Sequence, residues 1–418
     1  MTALVGILNK RAVAIAADSA VTIRNQGNRK VLNTARKIFQ LSKKYPIGVM
    51  IYSMADFMDT PWDVIIKLFC DRYGDRPCNT IKEYVDSFLK FLSDENYFIE
   101  PDRERLYVNR ELLDLYSEIR SSAIEKMNEE IEDESLRTTE ELAKYILSEL
   151  KENQEFLEKE PCCPHFEGYK QRTLSSYARE EFDELMTRYV LEEGLPESLR
   201  PELEKTFYLY IRSSRFGADM TGLVFVGYGE KDIYPTLYPI EINIAFDHRL
   251  RYYVNEERVE TISATNDAAI CPFAQTDVMI LFMKGISPNM YCTMLDEQLV
   301  LLEKQRNDIT EVLKKAGVSQ EIMDEINRVD LDEFQDPYRD KILEYIEEAN
   351  VSSLVESVAS FNIDDLSNMA ESLISITNLQ RHITSAEESV GGPVDVAVIT
   401  RSEGFTWIKR KNTLSADY

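Results

Sequence analysis

The chain has 418 residues and carries 74 Asp and Glu against 48 Lys and Arg, a formal net charge of −26. That excess repels a nucleic-acid backbone or an anionic membrane and argues against either as the main partner. Apolar residues at 44% and charged residues at 29% are those of an ordinary soluble globular protein, so wholesale disorder is not expected. The length suits one enlarged domain or two to three smaller ones.

No apolar stretch approaches the roughly 20 residues that a spanning helix needs. The short run Ala3 to Leu8 is followed, not preceded, by Lys10 and Arg11, unlike a secretory leader. Six scattered cysteines (Cys70, Cys78, Cys162, Cys163, Cys271 and Cys292) are too few for a disulfide scaffold and fit a reducing, cytoplasmic setting.

In chain order, Ala3 to Leu8 and Ala12 to Ala17 read as buried strands joined by an Asn9-Lys10-Arg11 turn, and the second ends at Asp18-Ser19. Gly27-Asn28 marks a loop, Lys30 to Leu41 resumes, and Ile47 to Ile51 is a further strand. Four short strands this close together predict one antiparallel sheet. Helical spacing then takes over at Met58 to Phe69, Thr80 to Leu92, Asn109 to Glu132, Thr138 to Phe156 and Arg172 to Glu192. Thr138 with Glu141 forms a capping box, and a loop at Glu160 to Gly168 divides the block. Strand character returns at Thr221 to Gly229, Thr236 to Ile244, Leu250 to Val254 and Arg258 to Ser263, with Leu223 to Ile242 as a hairpin. Pro272 to Met283 reads as a helix opened by proline. Met294 to Met369 is helical and acidic with a break at Asp336-Pro337. Val394 to Thr400 and Phe405 to Lys409 close the chain as a last hairpin. Terminal strands separated by so much helix most economically share one β-rich core.

The first forty residues carry the chemistry. Thr2 lies directly behind Met1, and removal of Met1 gives Thr2 a free α-amine beside its own hydroxyl, a nucleophile and base in one residue. Asp18-Ser19-Ala20-Val21-Thr22 and Arg36-Lys37-Ile38-Phe39-Gln40 follow. Gly222 to Pro239, Leu237-Tyr238-Pro239-Ile240 and Gly391 to Ile399 come later in the chain. In this order the segments resemble the proteasome β-subunit and HslV group of N-terminal-nucleophile hydrolases, over about half of the chain.

The resemblance implies an α+β fold, a four-layer αββα sandwich. Its core would be 1–70, 216–292 and 371–418, with helical insertions at 71–215 and 293–370. It implies Thr2 as nucleophile, Lys37 as electrostatic tuner of the amine and Asp18 as the orienter of Lys37. The family's oxyanion glycine is missing from Ile51 to Ala55, which leaves the amides of Tyr52 and Ser53 for that task. The family's Ser-Gly pair before a helix is replaced by Ala268 to Cys271 when the helix is taken to begin at Pro272. Glu387 or Glu388 and Ser389 match the family's supporting acid and hydroxyl.

The activity implied is threonine-type hydrolysis of peptides or proteins in a homo-oligomeric ring fed by an ATPase or unfoldase. A catalytically silent scaffold or assembly protein, and a small-molecule amidase, are the alternatives on the same core. Taken singly, each residue has a plainer reading: Asp18 a strand-end turn, Lys37 a surface lysine, Thr2 a frayed end. Cys162-Cys163-Pro164-His165 has metal-type ligands but no second pair nearby, so a loop with two thiols is the better reading. Gly227-Tyr228-Gly229 lacks the rest of a dinucleotide loop. No metal and no cofactor is expected.

Overall fold

The computed structural model describes residues 2–25, 28–32, 35–94, 98–217, 219–384 and 391–411. The first apolar runs form β1 (Ala3–Asn9) and β2 (Ala12–Ala17). Asn9 closes their turn, its Oδ1 accepting the amides of Arg11 and Ala12 at 2.9 and 3.2 Å. A two-stranded ribbon follows, β3 (Val21–Asn25) with β4 (Asn28–Leu32), then β5 (Ile38–Gln40) and β6 (Ile47–Ser53). The small pair β7 (Asp56–Phe57) and β8 (Thr60–Pro61) leads into α1 (Trp62–Tyr73), α2 (Ile81–Asp94) and α3 (Pro101–Glu130). Helix α4 (Thr139–Leu157) is capped by Thr138, whose hydroxyl accepts the Glu141 amide, the expected half of the capping box.

Helix α5 (Gln171–Tyr177) and α6 (Arg179–Leu185) occupy the next expected helix, split at Ala178, and α7 (Arg200–Arg212) is a helix that the pattern did not single out. After β9 (Thr221–Gly227), β10 (Thr236–Phe246), β11 (Arg249–Tyr253) and the short β12 (Glu260–Thr261) comes β13 (Ala268–Ala274). The second helical block is α8 (Asp277–Lys284), α9 (Pro288–Lys315), α10 (Gln320–Asn327), α11 (Asp332–Ile346), α12 (Ser352–Ser360) and α13 (Ile363–Thr384). The hairpin β14 (Asp395–Thr400) and β15 (Gly404–Lys409) ends the chain. The fold is α+β, and its strand pairings are antiparallel.

Two compact units divide the chain. One takes the residues up to Ala35, Thr261–Thr400 and those from Thr406; the other takes Arg36–Glu260 and Arg401–Phe405. In the first, the sheet order is β13-β1-β2-β14-β15. Ala3, Val5, Ile7, Ala12, Ala14 and Ala16 face a core shared with Val358 of α12 and Leu366, Ala370, Leu373 and Ile374 of α13. Leu4, Leu8, Val13 and Ile15 alternate with them and are just as inaccessible. Burial of both faces explains why these strands read as unbroken apolar runs without period-two alternation. In the second unit the order is β11-β10-β9-β6-β5, with β12 on β10. Helices α1, α2 and α3 cover one face through Trp62, Phe69, Phe88 and Leu112, packed on Ile47, Val49, Phe225 and Ile240.

Three expectations are corrected. The four early strands do not share one sheet: β1 and β2 belong to the five-stranded sheet and β5 and β6 to the six-stranded one, because the β3–β4 ribbon pairs only with itself and carries the chain away between them. Pro272 does not open a helix. It lies within edge strand β13 opposite Val5, where a missing N–H costs least, and the helix begins at Asp277. Pro337 does not break the second block. It sits in the second turn of α11, where it removes one backbone bond and leaves the helix continuous.

A buried polar knot fastens the first helical block to its sheet. Arg251 of β11 is 0% exposed. Its Nη1 donates to Asn243 Oδ1 at 2.7 Å and lies 3.4 Å from Glu111 Oε2, while Nη2 donates to the carbonyls of Tyr210 and Arg215 at 2.6 Å each. Glu111 of α3 also accepts from Tyr210 Oη at 2.6 Å and Asn243 Nδ2 at 2.9 Å. Truncating one member of such a pair strands the other charge in the interior. Arg251→Met is therefore expected to destabilise the protein by about 3–5 kcal/mol in denaturant titration.

Candidate functional site

In the first unit, the start of β1, the end of β2, the end of β13 and the start of β14 converge at one end of the sheet, as their antiparallel registers require. Thr2 stands there, 5% exposed. Its carbonyl accepts the Gln275 amide at 3.0 Å, and its hydroxyl makes no hydrogen bond among the described residues. Asp18 follows β2 and is 1% exposed. Its Oδ1 accepts the Ala3 amide at 2.9 Å, so the carboxylate lies against the peptide that joins Thr2 to Ala3. Its Oδ2 accepts the amides of Ala20 and Gly391 at 3.1 and 3.3 Å. A buried carboxylate tolerates desolvation only when its lone pairs are taken up in this way.

Beside Asp18 lies an acid–lysine pair that sequence reasoning missed. Lys411 Nζ donates to Ser19 Oγ at 2.8 Å and to the Ala35 carbonyl, and lies 3.3 Å from Asp395 Oδ2. Asp395 Oδ1 accepts the Lys411 amide at 2.8 Å, and Ser19 Oγ donates to the Pro393 carbonyl at 2.6 Å. An acid opening the otherwise apolar run Asp395 to Ile399 was a usable signal for Asp395. Lys411 had none, because it stands among surface-type residues at the chain's end.

Lys37, Tyr52 and Ser53 belong to the second unit. Lys37 is 4% exposed, and its carbonyl accepts the Ile51 amide at 2.8 Å, which sets it beside the end of β6. Alternation of the ladder turns the Tyr52 amide the other way, toward β9, and returns the Ser53 amide to the edge that Lys37 borders. Ser53 then turns the chain with φ of 71°, a conformation costly for a residue other than glycine.

The Tyr52 ring lies flat over Gly222 of β9, so near that a Cβ there would fall 1.9 Å from it. Its hydroxyl donates to Glu241 Oε1 at 3.2 Å. Burial foremost, with Glu241 adding to it and Arg258 opposing, raises the Tyr52 phenol above its ordinary range. Tyr52 is thus a packing residue, and of the two expected amide donors Ser53 is the one turned to the side of Lys37.

The structure therefore brings Thr2 to Asp18 within one unit, and Lys37 to Tyr52 and Ser53 within the other. Glu387, Glu388 and Ser389 lie outside the described residues. The start of α8 at Asp277 also shifts the segment compared with the family's Ser-Gly pair. Ala274-Gln275-Thr276 precedes the helix, with Ala274 at φ of 64° and paired with Ala3, and Ala268 to Cys271 is strand.

The thiol loop is occupied with structure. Cys163 Sγ donates to the Ser213 carbonyl at 3.2 Å, and burial pushes its thiol up to about 11, out of nucleophilic range at neutral pH. His165 Nδ1 accepts the Leu250 amide at 3.2 Å. Among the described residues, no group of three or more His, Cys, Asp and Glu is arranged to hold a metal ion. No known family model and no curated protein matches this chain.

Asp18→Asn puts an NH₂ against backbone donors that now meet a carboxylate, and should cost about 2–3 kcal/mol in urea denaturation. Burial lowers the pKa of His165, opposed by Asp94 and aided by Arg249. The unfolded chain therefore takes up that proton first, and the stabilising contribution is present above about pH 6.5 and lost as pH falls below it. Wild type should lose more stability than His165→Asn between pH 7.5 and 5.

Proposed function

We propose that the chain is an N-terminal threonine hydrolase of peptide or protein amide bonds, built on a four-layer αββα sandwich like that of proteasome β subunits. The observation that carries this reading is the Asp18 carboxylate, buried and bonded to the amide immediately after Thr2. An acid at that point serves a nucleophile that is also a chain terminus, because it fixes the first peptide and so fixes the direction of the Thr2 side chain. The layered architecture draws support from the complete burial of β1 and β2 on both faces.

In this reading, cytoplasmic removal of Met1 frees the Thr2 amine. The Thr2 hydroxyl attacks the substrate carbonyl and passes its proton to that amine, whose ordinary pKa near 7.7–8.0 suits a general base. The family resemblance assigns the oxyanion to the Ser53 amide. Collapse expels the leaving amine with the proton and leaves an ester on Thr2, which water cleaves with the same amine as base. The family resemblance gives Lys37 the task of favouring the neutral amine by like-charge repulsion.

The test is intact mass before and after exposure to an epoxyketone. Loss of Met1 with one adduct, absent from Thr2→Ala, is the expected result. Thr2→Ala and Lys37→Ala should each lower kcat by about 10³-fold or more with unchanged circular dichroism. A retained Met1, or a free Thr2 that stays unmodified, would overturn the reading in favour of a non-catalytic scaffold on the same fold.

A further inference from the structure

Helix α9 is 28 residues long and none of its residues is buried. One face is spoken for: Leu295, Leu299, Leu302 and Leu313 are half-buried on the side where α10 and α11 pack. On that side Arg306 Nη1 donates to the carbonyls of Asn327 and Val329 at 3.4 and 3.3 Å, and Gln335 Nε2 donates to that of Leu295 at 2.6 Å. A second apolar line runs down a different side. Met290, Leu301 and Val312 recur every eleven residues, which is three turns of an α-helix, so they stack along one stripe with Met294 beside them. They are 55%, 63% and 64% exposed respectively, on a chain otherwise rich in charge.

The stripe is symmetric about its middle. Inverting the helix at Leu301 carries Met290 onto Val312 and Leu301 onto itself. It also carries Glu297 to within one residue of Lys304 on the same flank. These two charges have no ion-pair partner among the described residues, and seven residues separate them by about 10 Å along the axis, too far to pair with each other. Apolar residues that map onto one another in reverse, with an acid brought beside a base, meet the requirement for an isologous two-fold contact.

We propose that the protein is a homodimer through α9, two copies of this helix packing antiparallel about Leu301, with Glu297 of each facing Lys304 of the other. The inference rests on the helical block alone and is independent of the chemistry assigned to Thr2.

Sedimentation equilibrium of the full chain should show a dimer at micromolar concentration. Leu301→Asp should be monomeric with unchanged circular dichroism and thermal midpoint, since the side chain is exposed. Glu297→Lys should weaken dimerisation by about tenfold or more, and Glu297→Lys combined with Lys304→Glu should restore it, a recovery that a damaged fold would not give. In a Cys292→Ser background, Leu301→Cys should form a single intermolecular disulfide on oxidation. A wild-type monomer at tens of micromolar, a Leu301→Asp dimer, or failure of the double charge reversal to recover would overturn the proposal.

Discussion

The Asp18 carboxylate is the constraint on which the organisation of the first unit turns. It accepts amides from three separated segments: Ala3 at the first strand, Ala20 where the chain leaves the second, and Gly391 ahead of the closing hairpin. Each bond is charge-assisted and out of water, so each is stronger than a neutral bond and costly to leave unmade. Its effect is positional. Thr2 and Ala3, at a position that would ordinarily fray, are held in the interior. The neighbouring Asp395–Lys411 pair does the same for the segment after β15, bonding through Ser19 and the Ala35 carbonyl to the segment that follows β2. Thr2, Lys411 and the β2 exit are thus held by adjacent polar groups at one end of one sheet.

The second unit solves a different problem, how to keep a long acidic helical block on a sheet. Apolar contact does most of this, through the aromatic side chains of Trp62, Phe69, Phe88 and Phe225. It is non-directional, however, and leaves register open. The Arg251–Glu111–Asn243–Tyr210 network supplies direction, since each donor and acceptor accepts only one arrangement of α3, α7 and the β10–β11 hairpin. The Tyr52 ring lying on Gly222 plays a similar part across β6 and β9: a side chain at Gly222 would collide with the ring.

Most elements were legible because their signals are local. The turn at Asn9 needs only Asn9's own amide and carbonyl chemistry, the cap at Thr138 only its hydroxyl and the Glu141 amide, and the runs Ala3 to Leu8 and Ala12 to Ala17 only their apolar character. The misreadings came where distant pairing outweighed local preference. Pro272 favours a first helical turn in isolation, yet Val5 and the rest of β1 offer the 268–274 segment a ladder in which proline at an edge loses little. Pro337 disfavours a helix interior, but near the start of α11 only one bond is lost. Helix α7 escaped notice because it opens with Arg200-Pro201-Glu202 straight after the turn Pro196 to Leu199, so its short periodic stretch is masked by its flank.

The residue order alone determined the α+β class, the two helical blocks, the terminal strands and the candidacy of Thr2, Asp18 and Lys37, because composition, periodicity and motif order are written along the chain. Tertiary structure alone decided which strands share a sheet, that Asp18 meets the amide beyond Thr2, that Tyr52 packs while Ser53 turns, and that Lys411 joins Asp395. Those facts depend on residues hundreds of positions apart meeting in register, and pairing of that kind is set by which buried faces and polar groups satisfy one another, a property no window of sequence contains.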